Sequence, residues 1–205
     1  MEVWMRPACL ALGYLIGSFL TAEPVSRLLS GKSPKEYGSH NPGMTNVMLH
    51  LGKRAGFLVL AGDVLKTLLA LFLCTALARE AIGTTAAILW GGMGTVLGHN
   101  FSFLAYFHGG KGVAVTCAWL MVLMPLWGTL SCVAGGIFCL ATGYLPPGAV
   151  LIPVLAILPG FFTKGTEAGI FMLLASVMMF LRHHRGLKRV LRGGEHRFFR
   201  GKPRE

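Results

Sequence analysis

The sequence predicts an all-α polytopic membrane protein with about seven transmembrane helices, its N-terminus outside and its C-terminus in the cytoplasm. Composition is the first reason: 54% of the 205 residues are hydrophobic and only 13% are charged, whereas about a quarter of a soluble domain is charged. Apolar runs near the length of a bilayer crossing, about 20 residues, recur along the whole chain. Lysine and arginine are concentrated in alternate loops, and such basic loops stay in the cytoplasm.

The apolar runs define the spans. The first contains "LALGYLIGSFL" and is followed by Glu23-Pro24 rather than by small residues, so we do not interpret it as a cleaved signal peptide. The second and the last are equally clear. The spans between them are shorter and rich in glycine, which suits close helix packing in lipid, and "MPLWG" and "GYLPPG" predict tight turns there. The predicted spans are 8–29, 55–78, 82–98, 112–126, 128–144, 147–162 and 166–182.

Charge decides the orientation. Loops 30–54 and 99–111 and the segment after residue 182 carry most of the basic residues, so we place all three in the cytoplasm. We expect residues 1–182 to form a single membrane-embedded domain and residues 183–205 a basic tail. The net charge of +11 then reflects topology and attraction to anionic lipid headgroups, not nucleic-acid binding.

Two cytoplasmic loops are unusually polar. The stretch "YGSHNPGMTN" supplies Ser39, Asn41, Thr45 and Asn46 as hydrogen-bonding groups, and Pro42-Gly43 forces a turn. Such residues suit a phosphate or a polyol. The alternative is a helix N-cap and turn at the membrane surface.

The second loop ends in "GGKG", which opens directly into an apolar helix. Glycines let backbone N–H groups face an anion, Lys111 adds a positive charge, and a helix N-terminus favours anions. This predicts a phosphate-binding loop, although the spacing is not that of a Walker A loop. A flexible turn with a lysine at the membrane edge is the alternative.

Other polar residues have more limited roles. Asp63 and Lys66, spaced i and i+3, are predicted to form a structural pair inside the second span. His99 or His183 could donate a hydrogen bond to a substrate.

The five cysteines lie in apolar segments, and no pattern typical of a metal site, a disulfide framework or a covalent nucleophile is present. An enzyme of this kind would depend on positioning and electrostatics.

Six motifs, taken together, resemble one family. They are "GYLIGSF", "YGSHNPGMTNV", "GDVLK", "GHNF", "GGKGVA" and "RHHRGLKRVLRGGE". In this order and spacing, over about residues 10 to 195, the chain resembles the bacterial acylphosphate:glycerol-3-phosphate acyltransferases of the PlsY type. The resemblance implies seven spans in the bacterial plasma membrane and transfer of an acyl group from acyl phosphate to the 1-hydroxyl of glycerol 3-phosphate. Neither a metal nor coenzyme A is implied.

The resemblance also assigns site residues. Lys111 and His183 would serve catalysis. The anion-binding and substrate-binding residues would be Ser39, Asn41, Gly43, Thr45, Asn46, Gly109, Gly110 and Gly112. His99 joins this predicted set as the possible hydrogen-bond donor named above.

Several positions depart from the family pattern, and at four of them a polar side chain of the family is absent. The family has an arginine where this chain has Leu49, serines where it has Pro146 and Ala149, and an asparagine where it has Gly186. An arginine can donate two hydrogen bonds to a phosphate, and a leucine cannot replace them. The sequence therefore leaves two other hypotheses open: a diverged relative that acylates another acceptor, and a membrane or lipid-binding protein without catalytic activity.

Overall fold

The protein is all-helical, as predicted, in the part of the chain that the computed structural model describes, residues 2–195 and 197. The helices are α1 (Glu2–Gly17), α2 (Ala22–Ser30), α3 (Met44–Leu51), α4 (Lys53–Asn100), a 3-10 turn (Phe103–Ala105), α5 (Val113–Leu123), α6 (Pro125–Thr142), α7 (Leu145–Leu155), α8 (Ile157–Lys164) and α9 (Thr166–Leu191). They belong to two compact units, Met1–Trp119 and Leu120–Glu205.

Helix α4 is two antiparallel helices joined at Gly83. Gly83 has φ 78° and ψ 153°, which ends the helical path, and glycine adopts a positive φ without strain. Lys66 Nζ lies 3.0 Å from His99 Nδ1, so residues on the two sides of Gly83 face each other. We call the two parts α4a (53–82) and α4b (84–100). They correspond to the second and third predicted spans.

Helix α1 packs very closely against α4b, because glycines line both surfaces. A Cβ at Gly13 or Gly17 would lie 2.1 or 2.3 Å from a backbone oxygen of α4b, and one at Gly94 or Gly98 would lie 2.2 or 2.1 Å from a backbone oxygen of α1. Both glycine pairs are four residues apart, the spacing that lets helix backbones approach in membranes. The two helices run parallel, since the contacts advance together along both.

The first predicted span is not one continuous helix, because α1 ends at Gly17 and α2 begins at Ala22, after four intervening residues. Two of the carbonyls between them, those of Ser18 and Phe19, accept hydrogen bonds from side chains. Ser102 Oγ donates to the Ser18 carbonyl at 2.6 Å, and Lys66 Nζ donates to the Phe19 carbonyl at 2.6 Å. The expected loop 30–54 likewise contains a helix, α3.

Both polar loops lie at the same end of the first unit. Parallel packing brings the C-terminal end of α1 beside that of α4b, and the antiparallel pair places the start of α4a there too. Lys35 Nζ donates to the Ala105 carbonyl at 3.4 Å, which joins the loop before α3 to the loop after α4. The sequence prediction that these loops face one side agrees with this arrangement.

The second unit is built from helix hairpins. Helices α6 and α7 meet at Gly143, which has φ 81°, and α8 and α9 meet at Gly165, which has φ 92°. Helix breaks occur where the turns were expected, at Met124 and at Gly143 and Tyr144, but the rest of the stretches 124–128 and 143–148 is helix. Helix α9 continues to Leu191, so the segment predicted as a tail from residue 183 begins as helix.

Five segments of the described residues are long and apolar enough to cross a membrane. The longest of them contains both parts of α4. Helix α5 has 11 residues, which extend about 16 Å, so it is shorter than the hydrocarbon core of about 30 Å.

We predict that Gly94→Ala destabilises the protein by about 1–3 kcal/mol, because the new methyl group would overpack the contact with α1. Thermal unfolding in mild detergent measures this. The control is Gly136→Ala in α6, where nothing lies within 4 Å of the added Cβ. This substitution should raise the stability of the helix slightly, because alanine loses less backbone freedom on folding than glycine. Equal unfolding temperatures for the two variants would contradict the close contact.

Candidate active site

A buried charged cluster lies beside the two polar loops. Asp63 Oδ1 and Lys66 Nζ are 2.8 Å apart, as the i, i+3 spacing predicts, and Lys66 Nζ is also 3.0 Å from His99 Nδ1. All three side chains are buried. Buried charges need partners, and this cluster supplies them by joining α4a to α4b.

The cluster also reaches the break between α1 and α2. Thr21 Oγ1 donates to Asp63 Oδ1 at 3.1 Å, and the Phe19 carbonyl accepts from Lys66. The charged pair therefore connects three segments at one end of the first unit. Thr21 was not predicted as a site residue from the sequence. Its hydroxyl group at the end of the first apolar run is the feature that could have indicated it.

The glycine loop wraps around the last two residues of α4. Gly110 N–H donates to the His99 carbonyl at 2.9 Å, and Gly109 N–H donates to the Asn100 carbonyl at 3.2 Å. A Cβ at Gly110 would lie 2.2 Å from His99 Nε2, so the glycine is needed for this close approach. The sequence predicted that the backbone N–H groups of this loop face an anion. For Gly109 and Gly110 this is wrong, because their N–H groups donate to backbone carbonyls of α4.

Lys111 lies between these contacts and the start of α5, and it is half-buried. Gly112 follows with φ 82°, the left-handed conformation that favours glycine. Helix α5 begins at the next residue, and its first N–H groups have no acceptor within their own helix. The loop thus places a lysine beside a helix N-terminus, as the sequence predicted.

The loop before α3 is organised by Asn46. Its buried side chain donates from Nδ2 to the Pro34 carbonyl at 2.8 Å and to the Tyr37 carbonyl at 3.2 Å. Its Oδ1 accepts the Ser39 N–H at 3.0 Å. Every hydrogen-bonding atom of this amide is therefore engaged inside the loop, which ties Asn46 to the shape of the loop.

The remaining predicted residues of this loop surround the start of α3. Gly43 is the N-cap residue in an extended conformation, and a Cβ there would lie 2.9 Å from Asn41 Nδ2. Thr45 lies in the first helical turn and is half-buried, and Ser39 is exposed. The helix N-cap interpretation therefore holds for Gly43 and does not exclude a polar binding loop.

His183 belongs to the second unit. It is buried in α9, with Nδ1 2.9 Å from the Met179 carbonyl.

Two of the positions that depart from the family pattern lie against each other in this unit: a Cβ at Gly186 would lie 2.7 Å from Cγ of Pro146. The proline ring leaves no room for an asparagine, so these two departures depend on each other. Ala149 is buried in α7.

Leu49 lies on α3, and half of its surface is exposed. Nothing in the packing of α3 requires leucine there.

Among residues 2–195 and 197, no three His, Cys, Asp or Glu side chains gather closely enough to hold a metal ion.

Comparison with known proteins identifies the family. The model of the family "Glycerol-3-phosphate acyltransferase" matches residues 7–193. A glycerol-3-phosphate acyltransferase of Alkaliphilus metalliredigens is 37% identical over 89% of this chain and 90% of its own length. One from Bordetella pertussis is 33% identical over 93% of this chain and 90% of its own length.

A solved structure agrees in fold. A crystal structure of PlsY (YgiH), an integral membrane glycerol 3-phosphate acyltransferase, in its glycerol 3-phosphate form superimposes with a TM-score of 0.82 at 28% identity. The match covers 94% of this chain and 95% of that one. The helices and loops described above are thus those of an integral membrane acyltransferase. The chain belongs to the glycerol-3-phosphate acyltransferase family.

We predict that Lys66→Met lowers the free energy of unfolding by about 3–5 kcal/mol, because it leaves Asp63 buried without its counter-charge. The double variant Asp63→Asn/Lys66→Met should lose much less, since no buried charge remains. Unfolding of both variants in the same detergent gives the comparison. A double variant as unstable as the single one would show that the charge is not the reason.

Proposed function

We propose that this protein transfers an acyl group from acyl phosphate to the 1-hydroxyl of sn-glycerol 3-phosphate, forming lysophosphatidic acid and phosphate for phospholipid synthesis. One observation carries the proposal. The glycine loop with Lys111 and the polar loop before α3 lie at the same end of the first unit, joined by the 3.4 Å bond from Lys35 to the Ala105 carbonyl. Two phosphate-bearing substrates need two neighbouring polar loops.

The acyl phosphate is assigned to the glycine loop. Lys111 and the N–H groups at the start of α5 would hold its phosphate, since a helix N-terminus and a lysine both favour an anion. Gly109, Gly110 and Gly112 would act by allowing the loop to fold closely over the end of α4. Neutralising the phosphate makes it a better leaving group.

Glycerol 3-phosphate is assigned to the loop before α3. Ser39, Asn41, Gly43 and Thr45 would contact it, and Asn46 would keep the loop in shape through its three internal bonds. We assign His183 to catalysis on the family resemblance.

The reaction needs no covalent enzyme intermediate. The 1-hydroxyl oxygen attacks the acyl carbonyl carbon, the bond from that carbon to the phosphate oxygen breaks, and the hydroxyl proton passes to the departing phosphate. The protein would contribute positioning and charge stabilisation. Because a reactive mixed anhydride must meet the glycerol hydroxyl before water does, accurate placement of the two loops matters most.

The buried cluster would provide that placement. We assign a positioning role to Asp63 and Lys66. Asp63 pairs with Lys66, which contacts the His99 ring, and the His99 carbonyl accepts the Gly110 N–H. In this interpretation His99 acts on the substrate through the loop.

We also propose seven crossings, with the N-terminus outside. The two parts of α4 would each cross once, and α5 would span a locally thinned region of the bilayer. The basic loops and the helix end at Leu191 would then face the cytoplasm, and the proposed site would lie on the cytoplasmic side of the bacterial plasma membrane.

We predict that Lys111→Ala lowers kcat about 10²–10³-fold, the loss expected for removing one group that stabilises developing charge. The assay follows labelled lysophosphatidic acid made from palmitoyl phosphate and glycerol 3-phosphate by the purified protein. Lys164→Ala, at an exposed lysine at the end of α8, is the matched control and should keep full activity. Full activity of Lys111→Ala would exclude the assigned role, and product formed only with another acceptor would redirect the proposal to that acceptor.

We predict that Leu49→Arg lowers the KM for glycerol 3-phosphate about tenfold or more, because a hydrogen bond to a charged group contributes about 1.5–3 kcal/mol. Leu28→Arg, at an exposed leucine of α2, adds the same charge elsewhere and should leave KM unchanged. If both variants lower KM equally, the effect is general attraction of the anion. No change with Leu49→Arg would mean that α3 does not approach the phosphate at this position.

A further inference from the structure

Asn100, the last residue of α4, has a buried acceptor that the protein does not satisfy. The residue is 1% exposed, and its Oδ1 has no hydrogen-bond partner among the described residues. Most buried side-chain oxygens in proteins are paired, so an unpaired one requires an explanation. Asn100 was not among the site residues predicted from the sequence, although a polar pair, His99-Asn100, ends an apolar helix there.

The Asn100 amide is directed at the start of α5. A Cβ at Gly112, the residue before the helix, would lie 2.7 Å from Asn100 Oδ1 and 3.1 Å from Nδ2. Thr116, in the first turn of α5, is also 1% exposed, and its Oγ1 has no partner in the described part of the chain. Two unpaired oxygens thus accompany the N–H donors of one helix N-terminus.

The glycine loop does not supply a partner for the Asn100 side chain. The N–H groups of Gly109 and Gly110 already donate to the backbone carbonyls of Asn100 and His99. Two kinds of group therefore lie side by side here. The helix N–H donors suit the phosphate of the acyl phosphate, and Asn100 Oδ1 is an acceptor that needs a hydrogen from a second, neighbouring substrate.

The acceptor selects the chemistry of its partner. An ionised acyl phosphate has only acceptor oxygens in its headgroup, so it cannot donate to Oδ1. A polyol phosphate carries hydroxyl groups that can. In the reaction proposed above the 1-hydroxyl of glycerol 3-phosphate gives up its proton, which leaves the secondary hydroxyl as the donor.

We propose that Asn100 is a substrate-binding residue whose Oδ1 accepts a hydrogen bond from the secondary hydroxyl of glycerol 3-phosphate. This inference rests on the proposed function and deepens it. Asn100 orients the polyol beside the phosphate-binding start of α5, so that the primary hydroxyl is directed at the acyl phosphate. This contact would let the site distinguish glycerol 3-phosphate from a phosphate monoester without the second hydroxyl.

The test combines one substitution in the protein with one change in the acceptor substrate and compares the KM values of the four combinations. Asn100→Leu has a similar shape and no hydrogen-bonding atoms, and 1,3-propanediol monophosphate lacks only the secondary hydroxyl. We expect Asn100→Leu to raise the KM for glycerol 3-phosphate about tenfold, the effect of losing one buried hydrogen bond. It should change the KM for the analogue and for palmitoyl phosphate less than twofold. The unfolding temperature should not fall, because an unpaired buried oxygen has been removed.

Other outcomes overturn the inference. An unchanged KM for glycerol 3-phosphate, or an equal rise for both acceptors, would mean that Asn100 does not contact the secondary hydroxyl. The comparison of the two acceptors on the wild-type protein does not depend on any variant folding, and equal KM values there would have the same meaning. A wild-type protein that makes no lysophosphatidic acid would overturn the proposed function itself, and this inference with it.

Discussion

The rest of the site depends on one charged pair that is buried in an apolar helix bundle. Asp63 and Lys66 are 2.8 Å apart in a helix that is long and apolar enough to cross a membrane. A charge there is costly without partners. The chain supplies three partner groups, Thr21, the Phe19 carbonyl and His99. The need to satisfy two charges therefore joins the break after α1 to both parts of α4.

Glycine makes this arrangement geometrically possible. At Gly94 and Gly110 a single methyl group would lie 2.2 Å from the nearest atom of the neighbouring segment, far inside normal contact. Backbones that approach this closely leave little freedom to slide, which suits an enzyme whose chemistry depends on positioning two substrates. The same residue type therefore serves helix packing within the membrane and loop packing at its end.

Much of this could be predicted from sequence, and the failures share a cause. The pairing of Asp63 and Lys66 follows from local helical spacing, and the turn at Gly143 follows from local composition. The end of α1 at Gly17 could not be predicted, because it depends on hydrogen bonds from side chains far along the chain. The internal role of Asn46 and the unpaired oxygen of Asn100 likewise appear only when distant segments meet.

The central claim is that the buried charged pair holds the glycine loop in place through His99. Hydrogen–deuterium exchange of the whole protein in detergent tests it most directly, by comparing the wild type with Asp63→Asn/Lys66→Met. The account predicts faster exchange of the Gly109 and Gly110 N–H groups in the variant, because their acceptors at the end of α4 lose their support, and unchanged exchange in the α6–α7 hairpin. Equal exchange of the glycine loop in both proteins would contradict it.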